Sequence, residues 1–429
     1  MIYPESAHFT SEGELYLGGI PACQLVETFG SPLYVVDEAT VRRNCRYYTD
    51  TLKSIWPHHV VLFAGKANLN RGLLNLLSEE GLGLDVVSGG ELYTALHSTM
   101  VPENMVFHGN NKSEEELVSA LQHAICLVID HEDELDTLIR LTQARQISAT
   151  VMLRIKPEIE AHTHDYIKTG HIDSKFGIDK DSIVAIVKRI QACPLLTLRG
   201  LHSHIGSQIF DTLPYRDLAT IMVGHMDKIR QECGIVLPDL NLGGGIGIQY
   251  VLSDDPPLIS DYLTQMCEAL KAACMHHQFP FPRLLVEPGR SIVGNAGVTL
   301  YTVGATKHIS GIRDYLFVDG GMADNPRPMM YQSNYTFCLA NKNNLPFDHL
   351  YTIAGKYCES GDILAKDVAL PAVKKGDVLC VFGTGAYNYS MASHYNRCLL
   401  PAMVLVGNQS TKVLVKRDTY DGLIAHDCI

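Results

Sequence analysis

The segment VVLFAGKAN, residues 60–68, closes an apolar, β-branched run with two small residues and then a lysine, Lys66. A cation at the end of a buried strand is costly unless chemistry uses it, and a desolvated lysine amine is a nucleophile toward carbonyl carbons. Further along, Gly243, Gly244 and Gly245 directly follow the apolar run LNL. Backbone N–H groups there can approach an anion such as a phosphate with no side chain in the way, although a tight turn would use the same glycines. EPGR at 287–290 ends another apolar run, adding Gly289 and Arg290 beside a carboxylate, Glu287. Amine, anion cradle and carboxylate together suit pyridoxal 5′-phosphate (PLP). Its aldehyde needs a neutral amine, its phosphate needs N–H donors, and its ring nitrogen stays protonated when paired with a carboxylate.

These residues need a scaffold that brings distant segments to one rim. Eight short apolar runs supply it: VVLFA at 60–64, LDVVS at 84–88, MVFHG at 105–109, CLVID at 126–130, TVMLRI at 150–155, LRGLHSHI at 198–205, LNLGG at 240–244 and RLLVEPG at 283–289. Between them, RGLLNLLSEEG, SEEELVSALQHA and DKDSIVAIVKRIQA place apolar residues at helical intervals, with Ser or Asp starts that resemble N-caps. Near-continuous apolar strands alternating with helices predict an α/β fold, a (β/α)8 TIM-like barrel whose chemistry collects at the C-terminal strand ends. Read in order, those ends carry Lys66, Asp85 with Ser88, His108 with Asn110, Asp130, Arg154, His204, the triple glycine and Glu287. After residue 297 the segments VTLYTVGAT, DYLFVDGG, DVLCVFGTGAY and AMVLVG alternate and are broken by Gly, Pro, Asn and Asp, which predicts a second, mainly antiparallel β domain. The expected division is a barrel at 38–296 and a β-rich domain from 1–37 and 297–429, with PLYVVD at 32–37 joining the latter.

Composition narrows the partners. A net charge of −12 without a basic run argues against nucleic acid or an anionic membrane surface, leaving a small molecule. The twelve cysteines show no CxxC and no regular spacing, as expected of reduced thiols rather than a disulfide framework or a zinc site. The start MIYPESAHFT has no signal-peptide pattern and no long apolar window follows, so a cytoplasmic location is expected.

A metal-dependent barrel hydrolase is the competing arrangement, because His202 and His204 are two apart and would face the same way in a strand. No further ligands accompany them at comparable spacing, and HTH at 162–164 reads as a polar loop. No metal is expected. The flat imidazole of His204 fits better as a partner for a cofactor ring.

FAGKAN, LDVVSGGEL, DSKFGI, GLHSHIGSQI, LNLGGGIGI, VEPGRSIVG, VDGGMADNPRPMMY, YCESGD and GAYNYSMASHYN stand in the order found in the barrel-type (fold type III) PLP-dependent amino acid decarboxylases, and the chain resembles that family over nearly its whole length. The resemblance implies Lys66 as the Schiff-base lysine, His204 against the ring and Glu287 at the ring nitrogen. It implies Ser207, Gly244, Gly289, Arg290 and Tyr387 near the phosphate. It further implies a homodimer with shared sites, in which Cys358 and Glu359 reach the neighbouring subunit's active site and Cys358 donates a proton. The substrate set would be Arg290, Arg327, Tyr331, Glu359 and Tyr387. The implied reaction is decarboxylation of meso-diaminopimelate to L-lysine and CO2. Ornithine, arginine, carboxynorspermidine and citrate-linked diamino acids are the alternative substrates, and a non-catalytic PLP-binding regulator is the alternative role. Gly65, Lys356 with Tyr357, and HYNRCLLP depart from the family's pattern.

Overall fold

A computed structural model describes residues 1–157 and 175–428; the HTH segment and the first two residues of DSKFGI lie outside them. The chain forms two compact units, one of Met1–Asn44, Ile248–Asp255 and Arg290–Ile429, the other of Cys45–Gly247 and Pro256–Gly289. Among the described residues no helix is long and apolar enough to cross a membrane.

The second of these units is built on a closed eight-stranded parallel barrel. Its strands, in chain order, are His59–Ala64, Gly83–Val86, Met105–Phe107, Cys126–Ile129, Ala149–Arg154, Leu196–His202, Asp239–Asn241 and Arg283–Val286. All eight apolar runs of the sequence are present. They are legible because a strand buried on both faces needs apolar residues at consecutive positions. Leu62, Val106, Val128, Met152 and Leu285, from five different strands, pack as one cluster. Of the three helices the Ser start is borne out at one, and a residue just outside the apolar run caps another. Asn70 caps Arg71–Glu79, and Ser113 with Glu116 forms a capping box on Glu114–Gln122. Ser182 has αR dihedrals and its side chain caps nothing, so the third polar start is not an N-cap of this kind.

In the other unit, a nine-stranded sheet runs Ile363–Leu370, His349–Ala354, Arg313–Val318, Gly297–Ile309, Leu33–Asp37, Ala402–Gly407, Ser410–Val415, with Val378–Phe382 and Phe337–Leu339 branching from Gly297–Ile309. The segment PLYVVD is thus a central strand of this sheet, antiparallel to Gly297–Ile309 and parallel to Ala402–Gly407. Two-residue alternation divides the core between the faces. Val298, Leu300, Cys380 and Phe382 join one cluster; Tyr301, Val303, Leu379 and Val381 join another.

One tie spans three barrel strands. Pairing of the sixth strand with the fifth skips Arg199, a bulge that leaves its guanidinium on Asp239 of the seventh strand at 2.8 and 3.1 Å. Arg283 of the eighth strand grips the same carboxylate at 3.0 and 2.8 Å. Gly200 is required beside the bulge, since a Cβ there would lie 2.2 Å from the Asp239 carbonyl oxygen. Burial would raise the Asp239 carboxyl, but the two arginines outweigh it and hold it below its ordinary value. Asp239→Asn should lower barrel stability by about 2 to 4 kcal/mol at pH 7. Because the folded-state value is depressed, this contribution is present above the unfolded value near ~3.9 and is lost as pH falls through the folded one. Urea titrations of parent and variant should therefore differ at pH 7 and converge as the pH falls through the folded-state value.

Candidate active site

The C-terminal rim of the barrel carries the polar residues expected there. Lys66 sits in a single turn, Gly65–Ala67, directly after the first strand, and is exposed rather than desolvated as the apolar run before it suggests, because the strand ends at Ala64 and the turn carries the side chain out. Gly65 has a packing reason: a Cβ would fall 2.7 Å from Leu69 Cδ1 and 2.9 Å from the Asp85 carbonyl oxygen. Carboxylates from the following helices stiffen neighbouring loops. Glu91 accepts from the Val87 N–H at 2.8 Å and Glu116 from the Gly89 N–H at 2.5 Å. Glu134 accepts from the Asp130 N–H at 3.0 Å while pairing with buried Lys112 at 2.6 Å. Ser88 caps the helix Gly89–Leu96.

At the centre lies the buried Glu287 carboxylate. His108 Nε2 and Asn241 Nδ2 meet Oε1 at 2.7 and 2.6 Å, and His202 Nε2 meets Oε2 at 3.2 Å. Burial alone would raise this carboxyl, yet His108 and His202 beside it hold it well below the usual carboxylate range. Burial pushes His202 down to about 3, so it serves as a neutral N–H donor. Burial raises Asp85 to about 6, and its Oδ1 stands 3.8 Å from His108 Nε2. His108, His202 and Glu287 come from three strands and lie close enough to share an ion, a grouping invisible in sequence spacing. In this structure the imidazoles are engaged as hydrogen-bond partners of the carboxylate.

His204 does not continue the alternation from His202, because the strand ends at His202. Its Nδ1 instead accepts from the Gly244 N–H at 3.3 Å, which leaves the ring proton on Nε2. Burial, then the nearby Lys66 and Arg154 cations, lower it well below the ordinary histidine value. The Gly243 N–H likewise turns inward, to Asn241 Oδ1 at 2.9 Å. The triple glycine is therefore explained first by close backbone packing: a Cβ at Gly244 would lie 2.0 Å from the Glu287 carbonyl oxygen, and one at Gly245 2.2 Å from that of Gly206. Gly289 packs on the first strand, its Cβ position 3.0 Å from Ala64 Cβ. Ser207 follows on the loop after the sixth strand.

The remaining expected residues belong to the other unit. Arg290 opens the short helix Arg290–Val293; its Nη1 donates to the Tyr250 hydroxyl at 2.5 Å and its guanidinium lies 4.8 Å from the Tyr387 ring. Arg327 begins the helix Arg327–Tyr331 between two prolines, buried, with its guanidinium 5.1 Å from Tyr331 and 5.6 Å from Tyr387. Among the described residues no carboxylate pairs with Arg327, and its Nε has no hydrogen-bond partner. Cys358 and Glu359 are exposed on a separate loop. Sequence reasoning missed Tyr250, Asn325 and Asn388. Both asparagines are fully buried with side-chain oxygen and nitrogen unpartnered among the described residues, which marks them only once burial is known.

The rim fits PLP on its own terms. It offers an exposed amine, an ionised carboxylate among N–H donors, and buried polar atoms at Asp85 Oδ1, Asp130 Oδ1 and His202 Nδ1 with no hydrogen-bond partner among the described residues. A parallel barrel with such a rim defines a cofactor-using enzyme of the α/β-barrel class. The model for "Pyridoxal-dependent decarboxylase, pyridoxal binding domain" matches residues 38–294, and the chain belongs to this family of PLP-dependent decarboxylases. It is 45% identical to the diaminopimelate decarboxylase of Synechocystis sp., over all of this chain and 93% of that protein. It is also 45% identical to that of Bacillus subtilis, over 97% of this chain and 95% of that one. The crystal structure of diaminopimelate decarboxylase from M. jannaschii superposes with a TM-score of 0.92 at 33% identity, covering 99% of this chain and 98% of the other. The Helicobacter pylori enzyme complexed with L-lysine gives 0.87 at 30% identity, covering 94% and 98%.

The environment of the two histidines makes a direct prediction. At pH 5.5, 15N NMR should show His202 and His204 as neutral rings, with the His204 proton on Nε2. A doubly protonated ring at either position would contradict this electrostatic picture.

Proposed function

We propose that this chain is a diaminopimelate decarboxylase, which removes CO2 from meso-diaminopimelate to release L-lysine and so serves lysine biosynthesis. The geometric observation that carries the substrate assignment is Arg327, a buried cation among tyrosines with no carboxylate partner among the described residues. Diaminopimelate keeps a second carboxylate at its far end, and ornithine and lysine do not. Full-length relatives named for this activity support the same reading.

In the proposed site Lys66 supplies the amine that carries the cofactor. Glu287, kept ionised by its neighbours, holds a proton at the facing ring nitrogen. Neutral His204 offers an uncharged flat face to the ring. Ser207, Gly244, Gly289, Arg290 and Tyr387 are assigned to the phosphate. When bound, PLP supplies an electron sink for the pair released as the carboxylate leaves. Cys358 delivers a proton to the carbon that lost CO2, Arg327 with Tyr331 holds the distal carboxylate, and Glu359 accepts from the distal amine. Lys66 and Cys358 are both present, which favours an enzyme over a non-catalytic homologue. All twelve cysteines are free thiols, in keeping with a cytoplasmic protein.

Product assay on diaminopimelate, ornithine and lysine tests the assignment. Lysine should accumulate from diaminopimelate, and the other two should be poor substrates. Arg327→Ala leaves the distal carboxylate unpaired and should cost about 2 to 5 kcal/mol, roughly 30-fold to several thousand-fold in kcat/KM for diaminopimelate alone. Efficient turnover of ornithine by the parent, with diaminopimelate turnover indifferent to Arg327→Ala, would reject this specificity.

The proposed homodimer shares its sites, Cys358 and Glu359 serving the neighbouring subunit. Lys66→Ala and Cys358→Ala proteins, each inactive, should regain turnover when mixed under conditions of subunit exchange, because some heterodimers hold one complete site. Absence of recovery despite demonstrated exchange would place both residues within one chain's site.

A further inference from the structure

Three consecutive residues around the proposed proton donor are gripped by different elements. The Tyr357 hydroxyl donates to Asp324 at 3.0 Å and its backbone N–H to Asp362 at 2.9 Å. The Cys358 N–H donates to the side-chain oxygen of Asn396 at 2.9 Å. The Tyr395 hydroxyl bonds the Glu359 carboxylate. Asp362 also takes the Met322 N–H at 2.7 Å, and Asp324 takes the Gly321 N–H at 2.9 Å, so two carboxylates join the segment leading to Arg327 with the segment leading to Cys358.

Asn396 is unusual in its backbone. It has φ +53° and ψ 24° within the turn Tyr395–Arg397, a left-handed conformation that residues with side chains seldom adopt. Asparagine tolerates it best because its short amide can bond nearby backbone, yet here the amide oxygen reaches across 38 positions of sequence to Cys358. Arg397, also left-handed at φ +58°, is tied to Asp427 at 2.7 Å, so the turn is anchored beyond Asn396 as well. An outlier conformation that presents one acceptor to one N–H of a functional loop is a reason to ask what it aims.

We propose that Asn396 is a positioning residue for the Cys358 thiol, holding the Cys358 backbone N–H and thereby setting the direction from which the thiol meets the carbon it protonates. The inference rests on Cys358 as proton donor. Tyr357 fixes one side of the peptide preceding Cys358 and Asn396 fixes the other. Without the second hold an exposed loop rotates about the first.

Two substitutions separate aim from architecture. Asn396→Gly accepts the left-handed backbone freely but deletes the acceptor; Asn396→Asp keeps an oxygen in place. In the holoenzyme, Asn396→Gly should lower kcat on the order of 10- to 100-fold. KM should stay within about twofold, as for an interaction absent from ground-state binding, and the thermal midpoint should be unchanged. Iodoacetamide modification of Cys358, followed by peptide mapping in a Cys428→Ser background, should change rate, and Asn396→Asp should recover most of both effects. Parental kcat and alkylation rate in Asn396→Gly, with Cys358→Ala inactive, would overturn the positioning role alone. A fall of kcat, KM and thermal midpoint together, unrescued by aspartate, would overturn it in favour of a purely structural turn. Full activity of Cys358→Ala would overturn the donor assignment and this inference with it.

Discussion

A single carboxylate organises the barrel rim. Glu287 is buried and ionised, which is tolerable only because N–H donors from three other strands converge on it. Those donors, His108, His202 and Asn241, occupy the ends of the third, sixth and seventh strands, so the charge holds its own supports in register. The depressed values of His202 and His204 follow from the same enclosure. A rim that keeps His202 and His204 neutral and its glutamate charged is already poised to stabilise a proton on a guest between them.

The tyrosine-rich unit uses the opposite charge arrangement. Arg327 and Arg290 stand among aromatic rings, which supply electron density to a guanidinium without neutralising it. Deeper in, burial raises Asp324 to about 7, with Tyr301, Gly321 and Tyr357 supplying its hydrogen bonds. Segments that are separate in sequence thus meet at a few polar atoms.

How much of this was legible before the coordinates depended on whether the cause was local. Eight barrel strands could be read because each carries its own apolar run, and Lys66 and Glu287 because each ends one. The strand Ile363–Leu370 could not, since ILAKDVAL is half exposed and mixes charges with small residues, and Phe337–Leu339 is too short to show a period. The triple glycine suits a phosphate cradle or a tight turn in sequence, and the structure favours close packing: two of its N–H groups turn inward and its narrowness comes from neighbouring carbonyls. Asn325, Asn388 and Asn396 stand inside the motifs VDGGMADNPRPMMY and GAYNYSMASHYN, yet nothing there singles them out, because an amide's role is defined by partners or by their absence far away in sequence. Tyr357, a departure from the family's pattern, finds its reason only in Asp324.

The central position of Leu33–Asp37 in the nine-stranded sheet bears on how the polypeptide is made. One of its flanking strands is Gly297–Ile309 and the other is Ala402–Gly407. Synthesis runs from the N-terminus, so this strand is made before either neighbour: one edge waits for Gly297–Ile309 and the other for Ala402–Gly407, whereas all eight barrel strands have been synthesised by Val286. Its residues LYVVD are β-prone and almost wholly apolar, the kind of edge that pairs with strangers when left open. Nascent chains of this protein therefore carry a latent aggregation site until those partner strands are made, and a chaperone or a fast-closing barrel has to shield it for that interval.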